Sequence, residues 1–361
     1  MSQKRILVVS NMYPSNKDPY YGTFVKSFYD DITKIKNVVP ELAVIKGRAT
    51  SVAGKLFNYF RFYTATMFKL LFTNYDLIYV HTISHTSIPL RVISLVKKLN
   101  VIFNIHGDDL LTTTRTAYIL RNIAIPILKK ADKIVVPTEY FRDVLLREMP
   151  FVMPHRIIIS PSGGISKRFF VDNHSKKKNE IVKIGYVSRI DQGKGWDVLL
   201  MALSVLRETG LQFIAEFYGR GAEEDLFKSK VEALRLNDNV NYYGPKSHEE
   251  LPAIYKTFDV FVFPTMRDGE SLGLVGLEAM AAGVPVIGSD IGGLKSYIKN
   301  NVNGMMFIPG DYIGLAEKLK LFFAYPDEKR ISMSNEAKLT ANEYESTIIN
   351  NTLFKNIGII S

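Results

Sequence analysis

The chain has 361 residues, enough to bury two cores, and 47% of them are apolar. It contains no cysteine, which excludes a disulfide framework and a thiolate metal site and suits a reducing compartment. The start, MSQKRILVVSNMYP, lacks a long apolar stretch and a small-residue cleavage site, and no uncharged run approaches the roughly 20 residues of a membrane span, so a cytoplasmic protein is expected. The net charge of +10 is uneven. Residues 1–170 hold 24 Lys+Arg against 11 Asp+Glu, a balance of +13, and the remainder holds 22 against 25, a balance of −3. On charge alone the basic half suits nucleic acid or an anionic membrane surface.

Residues 5–10 (RILVVS) predict a strand, and Asn11-Met12-Tyr13-Pro14 ends it. A glycine turn at Tyr20-Tyr21-Gly22-Thr23 precedes a helix from Phe24. Strand, glycine loop and helix form the phosphate-facing start of a Rossmann-like domain, without the GxGxxG fingerprint. Residues 37–48 predict a second strand. Residues 51–73 (SVAGKLFNYFRFYTATMFKLLFT) predict a helix rich in aromatics, with Lys55, Arg61 and Lys69 among them. It reads as a helix packed on the sheet or as one resting on a membrane surface. The two readings agree if one face packs and the other docks.

Strands at 76–81 and 101–106 flank a helix at 87–99. His106-Gly107-Asp108-Asp109 lies at the carboxyl end of its strand, where open α/β sheets bind ligands. His106 there can donate to a sugar hydroxyl or to a backbone carbonyl, or be satisfied by its own loop. The chain has no Asp-x-Asp, so Asp108-Asp109 reads as loop or acceptor contacts rather than a metal site. Tyr21, His85 and Asp108 are the acceptor-side candidates. Helices at 114–130 and 139–148 and strands at 133–136 and 156–160 complete a first domain, 1–170. A polar linker at 171–180, a second domain at 181–335 and a C-terminal helix at 336–361 follow.

The second domain opens with a strand at 182–188. Arg189 and Lys194 then stand five apart across a tight glycine turn. Two cations so placed can neutralise a diphosphate leaving group, and arginine can do so bidentately. Strands at 212–221 and 240–246 and a helix at 248–257 lead to a strand at 260–263. The stretch 264–290 reads PTMRDGESLGLVGLEAMAAGVPVIGSD. Glu270-Ser271 is expected to open a helix that Gly283 ends, with a strand at 284–287 after it. The amides of Ser271, Leu272, Gly273 and Leu274 would then favour a phosphate. Glu270 would reach a sugar and Glu278, about two turns into the helix, ribose hydroxyls. The plainer alternative is a capped surface helix with two solvated glutamates. Helices at 311–324 and 328–353 close the chain.

The E-x7-E run within residues 264–287, with its strands and glycines, resembles the signature of the retaining group 1 glycosyltransferases, glycosyltransferase family 4. YP…GTFV at 13–25, PSGGI…RFF at 161–170 and R-x4-K-G at 189–195 resemble further family motifs. Ser162 and Gly164 depart from the family's P-N-G-V-D. The resemblance implies an α/β protein of two Rossmann-like doubly wound domains facing across a cleft. The first would hold the acceptor, the second the nucleotide sugar, and the final helix would return to the first.

It also implies retaining transfer from a nucleotide sugar, expected to be a UDP-sugar, to a saccharide or lipid-linked saccharide in bacterial surface polysaccharide biosynthesis. No metal or other cofactor is expected. Glu270 would orient the sugar, His106 would contact it, and Arg189 and Lys194 would stabilise the departing diphosphate. Gly22 would let the backbone approach the substrates and Gly219 would lie near the nucleotide. Gly244, Pro245 and Lys246 would hold the base. The basic first domain would contact the inner face of an anionic membrane, and no nucleic acid is expected. The rivals are a sugar-nucleotide epimerase of similar build, a soluble synthase of the glycogen or sucrose-phosphate type, and a non-enzymatic nucleotide- or nucleic-acid-binding protein.

Overall fold

A computed structural model describes residues 3–18, 21–111, 114–171 and 181–360. The chain splits into two compact units, one formed by Met1–Gly163 with Ile349–Ser361, the other by Gly164–Ile348. In the first, β1 (Lys4–Tyr13), α1 (Thr23–Thr33), β2 (Val38–Lys46), α2 (Val52–Phe72), β3 (Leu77–His81) and α3 (Ser87–Ile93) come in order. Next are β4 (Val101–Asn104), α4 (Gly107–Leu110), α5 (Arg115–Leu128), β5 (Lys133–Val136), α6 (Glu139–Glu148) and β6 (Ile157–Ile159). The second unit has β7 (Val182–Val187), α7 (Trp196–Glu208), β8 (Phe213–Tyr218), α8 (Glu224–Ala233), β9 (Val240–Tyr242) and α9 (Leu251–Tyr255). It continues with β10 (Val260–Phe263), α10 (Leu274–Ala281), β11 (Val286–Ser289), β12 (Gly304–Phe307), α11 (Tyr312–Ala324) and α12 (Asp327–Asn342), and α13 (Ser346–Asn356) ends the chain.

Each unit holds a six-stranded sheet, ordered β2-β1-β3-β4-β5-β6 in the first and β12-β11-β10-β7-β8-β9 in the second. Neighbouring strands in both sheets pair in parallel. Parallel sheets are covered on both faces, so their strands read as unbroken apolar runs. β1 shows this: Leu7 and Val9 enter one core with α2, α3, α5 and α6, while Ile6 and Val8 enter another with α1. The expected pair of Rossmann-like doubly wound domains is present. None of the described helices is long and apolar enough to cross a membrane.

The structure shifts several expected limits. The first unit closes at Gly163 rather than 170, because Ile165 donates its N–H to the Tyr344 carbonyl (2.7 Å) and Phe169 is buried in a core of the second unit. Residues 172–180 of the expected linker lie outside the described residues. The helix expected at 87–99 stops at Ile93. The helix expected at 328–353 is two helices, parted where the Ser346 N–H donates to the Ile165 carbonyl (2.9 Å). Residues 349–361 group with the first unit, whose core takes in Leu353, Phe354 and Ile359. Asn350 donates to the Asp31 carboxylate (2.7 Å) on α1.

Candidate active site

In the second unit, loops leave the carboxyl ends of β7, β8 and β10. The loop after β7 and the loop after β10 are stitched together, since the Met266 N–H donates to the Gly193 carbonyl (2.8 Å). Gly195 permits the approach. Its φ is +73°, and a Cβ there would sit 1.8 Å from the Pro264 carbonyl oxygen, which no other residue could accommodate. Tyr186, buried in β7, shares its hydroxyl between the carbonyls of Arg189 (3.1 Å) and Lys194 (3.4 Å).

This stitching sets Lys194 Nζ 2.6 Å from Glu270 Oε2. Their side chains are only 11% and 16% exposed, so the pair is largely shielded from water. The buried Thr265 hydroxyl lies 3.2 Å from the same carboxylate oxygen. Arg189 is the more open cation. It pairs with Asp191 (2.6 Å), whose other oxygen accepts the Ala222 N–H (2.8 Å). An arriving diphosphate would therefore find one half-exposed guanidinium and one ammonium already held by a carboxylate.

Glu270 lies in the turn before α10, for the helix begins at Leu274 and not at Glu270-Ser271. Gly273 caps it with a φ of +72°, where a Cβ would press 2.3 Å from the Phe263 ring, so the chain stays irregular through residue 273. The first-turn amides that the helix leaves over are those of Gly273, Leu274 and Val275. Ser271 and Leu272 precede the helix. Glu278 is correspondingly about one turn into α10, not two. It is 6% exposed and accepts a hydrogen bond from the Tyr255 hydroxyl (3.0 Å). Burial pushes its carboxyl up to about 7, against the pull of that hydrogen bond. It is not a solvated surface glutamate.

The neighbouring glycine turns meet through the backbone. The Gly219 N–H donates to the Gly244 carbonyl (2.9 Å), and the Tyr242 hydroxyl to the Gly219 carbonyl (2.8 Å). Pro245 follows Gly244 in the same loop. Lys246 lies 3.6 Å from Glu250, with which it pairs.

The first unit carries its own cluster. His81 ends β3 and His106 follows β4, their rings parallel within 8° and 6.2 Å apart. Phe24, just after Gly22 at the start of α1, packs its edge against both. Burial lowers His106 to about 4 and His81 well below its ordinary value. Both imidazoles are thus neutral near pH 7 and can donate or accept, but carry no charge. His106 Nε2 and both His81 nitrogens are buried without a hydrogen-bond partner. Asp109 folds the His106 loop by accepting the N–H groups of His106 (3.0 Å) and Ile83 (3.2 Å), and burial raises it to about 7. Asp108, beside it, is exposed.

Of the acceptor-side candidates, His85 is half-buried, its Nδ1 2.6 Å from the Tyr63 hydroxyl and its ring centroid 4.0 Å from that of Tyr59 at a tilt of 33°. Tyr21 lines a pocket of about 250 Å³ with Asn11, Arg48, Lys55, Asn58 and Tyr59. Arg48 sits over the Tyr21 ring at 4.6 Å. Sequence reasoning gave no role to Tyr59, Arg48, Thr265 or Tyr255. Arg48, Tyr59 and Tyr255 stand in no recognisable spacing, and Thr265 could have been found as the hydroxyl five residues before Glu270.

The model of the glycosyl transferases group 1 matches residues 167–340, and that of glycosyltransferase family 4 matches residues 29–163. The chain belongs to the group 1 glycosyltransferases of family 4. Among curated relatives, the D-inositol 3-phosphate glycosyltransferase of Salinispora tropica is 30% identical over 42% of this chain and 32% of its own length. The capsular polysaccharide biosynthesis glycosyltransferase CapM of Staphylococcus aureus is 29% identical over 52% of this chain and 50% of its own. The chain thus spans only a third to a half of those group 1 relatives. Among solved glycosyltransferase-fold structures, Anabaena HepE in complex with UDP aligns over 99% of this chain and 100% of its own, with a TM-score of 0.77 at 15% identity. The sucrose-phosphate synthase of Thermosynechococcus elongatus does so over the same shares, with a TM-score of 0.80 at 17% identity.

Proposed function

We propose that the protein is a retaining glycosyltransferase. It would move a hexosyl or N-acetylhexosaminyl group from a UDP-sugar to a saccharide or lipid-linked saccharide acceptor in bacterial surface polysaccharide biosynthesis. The observation that carries this reading is the shielded Lys194–Glu270 pair at the carboxyl ends of β7 and β10, beside Arg189 and the start of α10. Family membership, the UDP in the HepE structure and the capsular relative support the donor and the pathway.

In the reaction the bond from the anomeric carbon to the diphosphate oxygen breaks and a bond to the acceptor oxygen forms on the same face. The acceptor hydroxyl proton passes to the leaving phosphate. Lys194 and Arg189 stabilise the charge that develops there, the kind of electrostatic contribution that is usually the largest. They do so without a metal. Glu270, drawn toward the sugar as Lys194 turns to the diphosphate, stabilises positive charge at the ring. His106, kept neutral, orients a sugar hydroxyl. Glu278 and Tyr255 form the hydroxyl-binding end for the ribose. The pocket lined by Tyr21, Arg48 and Lys55 serves the acceptor. The enzyme works in the cytoplasm, in peripheral contact with the inner face of the membrane.

The test is nucleotide release from a panel of UDP-, GDP- and ADP-sugars, with EDTA present, with and without a lipid-linked acceptor. Release from a UDP-sugar despite EDTA is the expected result. Silence across the panel, together with no nucleotide binding, would overturn the reading.

A further inference from the structure

α2 runs for 21 residues and buries Phe62, Thr66 and Leu70 against the first unit. The other side of such a helix ordinarily carries charge. Here it carries Leu56, Phe57, Phe60, Phe68, Leu71 and Phe72, each between 47% and 68% exposed. At about 100° per residue, Phe57, Phe60, Phe68 and Leu71 fall within an arc of about 80°. The helix has no acidic residue, and Lys55, Arg61 and Lys69 are its three cations. α3 contacts both α2 and α5, and Val92 with Leu95 and Val96 in the turn after it extends the apolar surface, up to 74% exposed.

The face is firmly held. Near its C-terminus Lys69 bonds Glu41 (2.6 Å), and Lys97 donates to the last carbonyls of the helix at Leu70 and Thr73 (2.8 Å each). Solvent-exposed phenylalanines on a pinned helix lie outside the folding core, so they are available to something else.

Charge decides what that is. From residue 42 to residue 107 the chain has eight Lys+Arg and a single acidic residue, Asp76. A second copy of this chain would bring the same cations to the same apolar face, and like charges would oppose the contact. An anionic bilayer offers an apolar interior to the phenyl rings and phosphate to exposed cations of this segment such as Arg61 and Lys98.

We propose that α2, extended by the α3 segment, lies flat in the head-group boundary of an anionic lipid bilayer. The inference rests on the peripheral location proposed above and names its surface. It brings the pocket at the start of α2, where Lys55, Asn58 and Tyr59 point into the lining, next to the lipid head groups. A saccharide on a lipid carrier could then enter that pocket without its tail leaving the membrane.

The experiment is flotation of the full chain with vesicles of phosphatidylcholine alone or with phosphatidylglycerol, at low and high salt. A Phe57→Ser/Phe60→Ser/Phe68→Ser variant is compared with Ile331→Ser, an exposed apolar change in the second unit (57%). Wild type and Ile331→Ser should bind anionic vesicles, and the triple variant should bind at least about tenfold more weakly with an unchanged thermal melt. High salt should weaken binding without abolishing it, since the apolar part is not screened. Equal binding by the triple variant, or no binding by wild type at low salt, overturns the proposal. So does a wild-type dimer in sedimentation that the triple variant splits. Vesicle binding with neither nucleotide release nor nucleotide binding keeps this surface and sinks the transferase reading, and nucleotide release without vesicle binding does the reverse.

Discussion

Lys194 and Glu270 are 76 residues apart in sequence and 2.6 Å apart in space. Removing the ammonium takes away a group aimed at the leaving diphosphate and leaves Glu270 with the Thr265 hydroxyl. Lys194→Ala should therefore lower kcat for nucleotide release about 100- to 1,000-fold while the thermal melt shows the fold retained. Near wild-type turnover would refute the role. Glu278 makes a pH prediction. Its folded value of about 7 lies above the ordinary 4.5, so below 4.5 both folded and unfolded chains carry the proton. As pH rises from there past 7, the unfolded chain ionises freely while burial opposes ionisation in the folded one, and stability is lost across that window. Glu278→Gln keeps an acceptor for Tyr255 and does not ionise. Its Tm advantage over wild type should be smallest near pH 4.5 and largest above pH 7, and a difference constant with pH would count against the account. Asp109, raised by burial in the same direction, predicts the same sign for Asp109→Asn.

At the scale of elements, the active loops are set by close backbone approach. Gly195 sits against Pro264, so Gly195→Ala meets both a left-handed backbone and a carbonyl oxygen at 1.8 Å. The backbone alone costs about 1–3 kcal/mol, and relief of the clash must part the two loops that pair Lys194 with Glu270. Urea unfolding should show a loss of at least that size, with nucleotide release falling alongside it. An alanine variant as stable and as active as wild type would show that the two loops need not meet. α10 illustrates the same point from the other side. Its apolar spacing announced a helix, but not that Gly273 and the Phe263 ring would delay its start to Leu274.

At the scale of the molecule, the first unit is completed by the last residues of the chain. Phe354 is 3% exposed and meets Phe28 edge-on at 5.8 Å. Phe354→Ala should cost the first unit about 3–5 kcal/mol. The chain has one tryptophan, Trp196, buried in the second unit, so its fluorescence reports that unit alone. Circular dichroism should show an earlier transition in the variant, with the tryptophan transition in place. A shift of the tryptophan signal by the same amount would mean that the units unfold as one.

The sequence by itself determined the alternation of strands and helices, because buried parallel strands and their helices carry local apolar patterns. It determined R-x4-K-G and E-x7-E as candidate sites, because each lies within one short segment and one turn. Only the tertiary structure decided that Lys194 meets Glu270, that Glu278 is buried against Tyr255, and that His81 and His106 lie parallel. Those pairings depend on which loops come together across the sheet, and no spacing encodes it. α2 is the clearest case. Being apolar on nearly every side, it has no periodicity to say which face packs, and the exposed phenylalanines became visible only when Phe62, Thr66 and Leu70 were seen to fill the core.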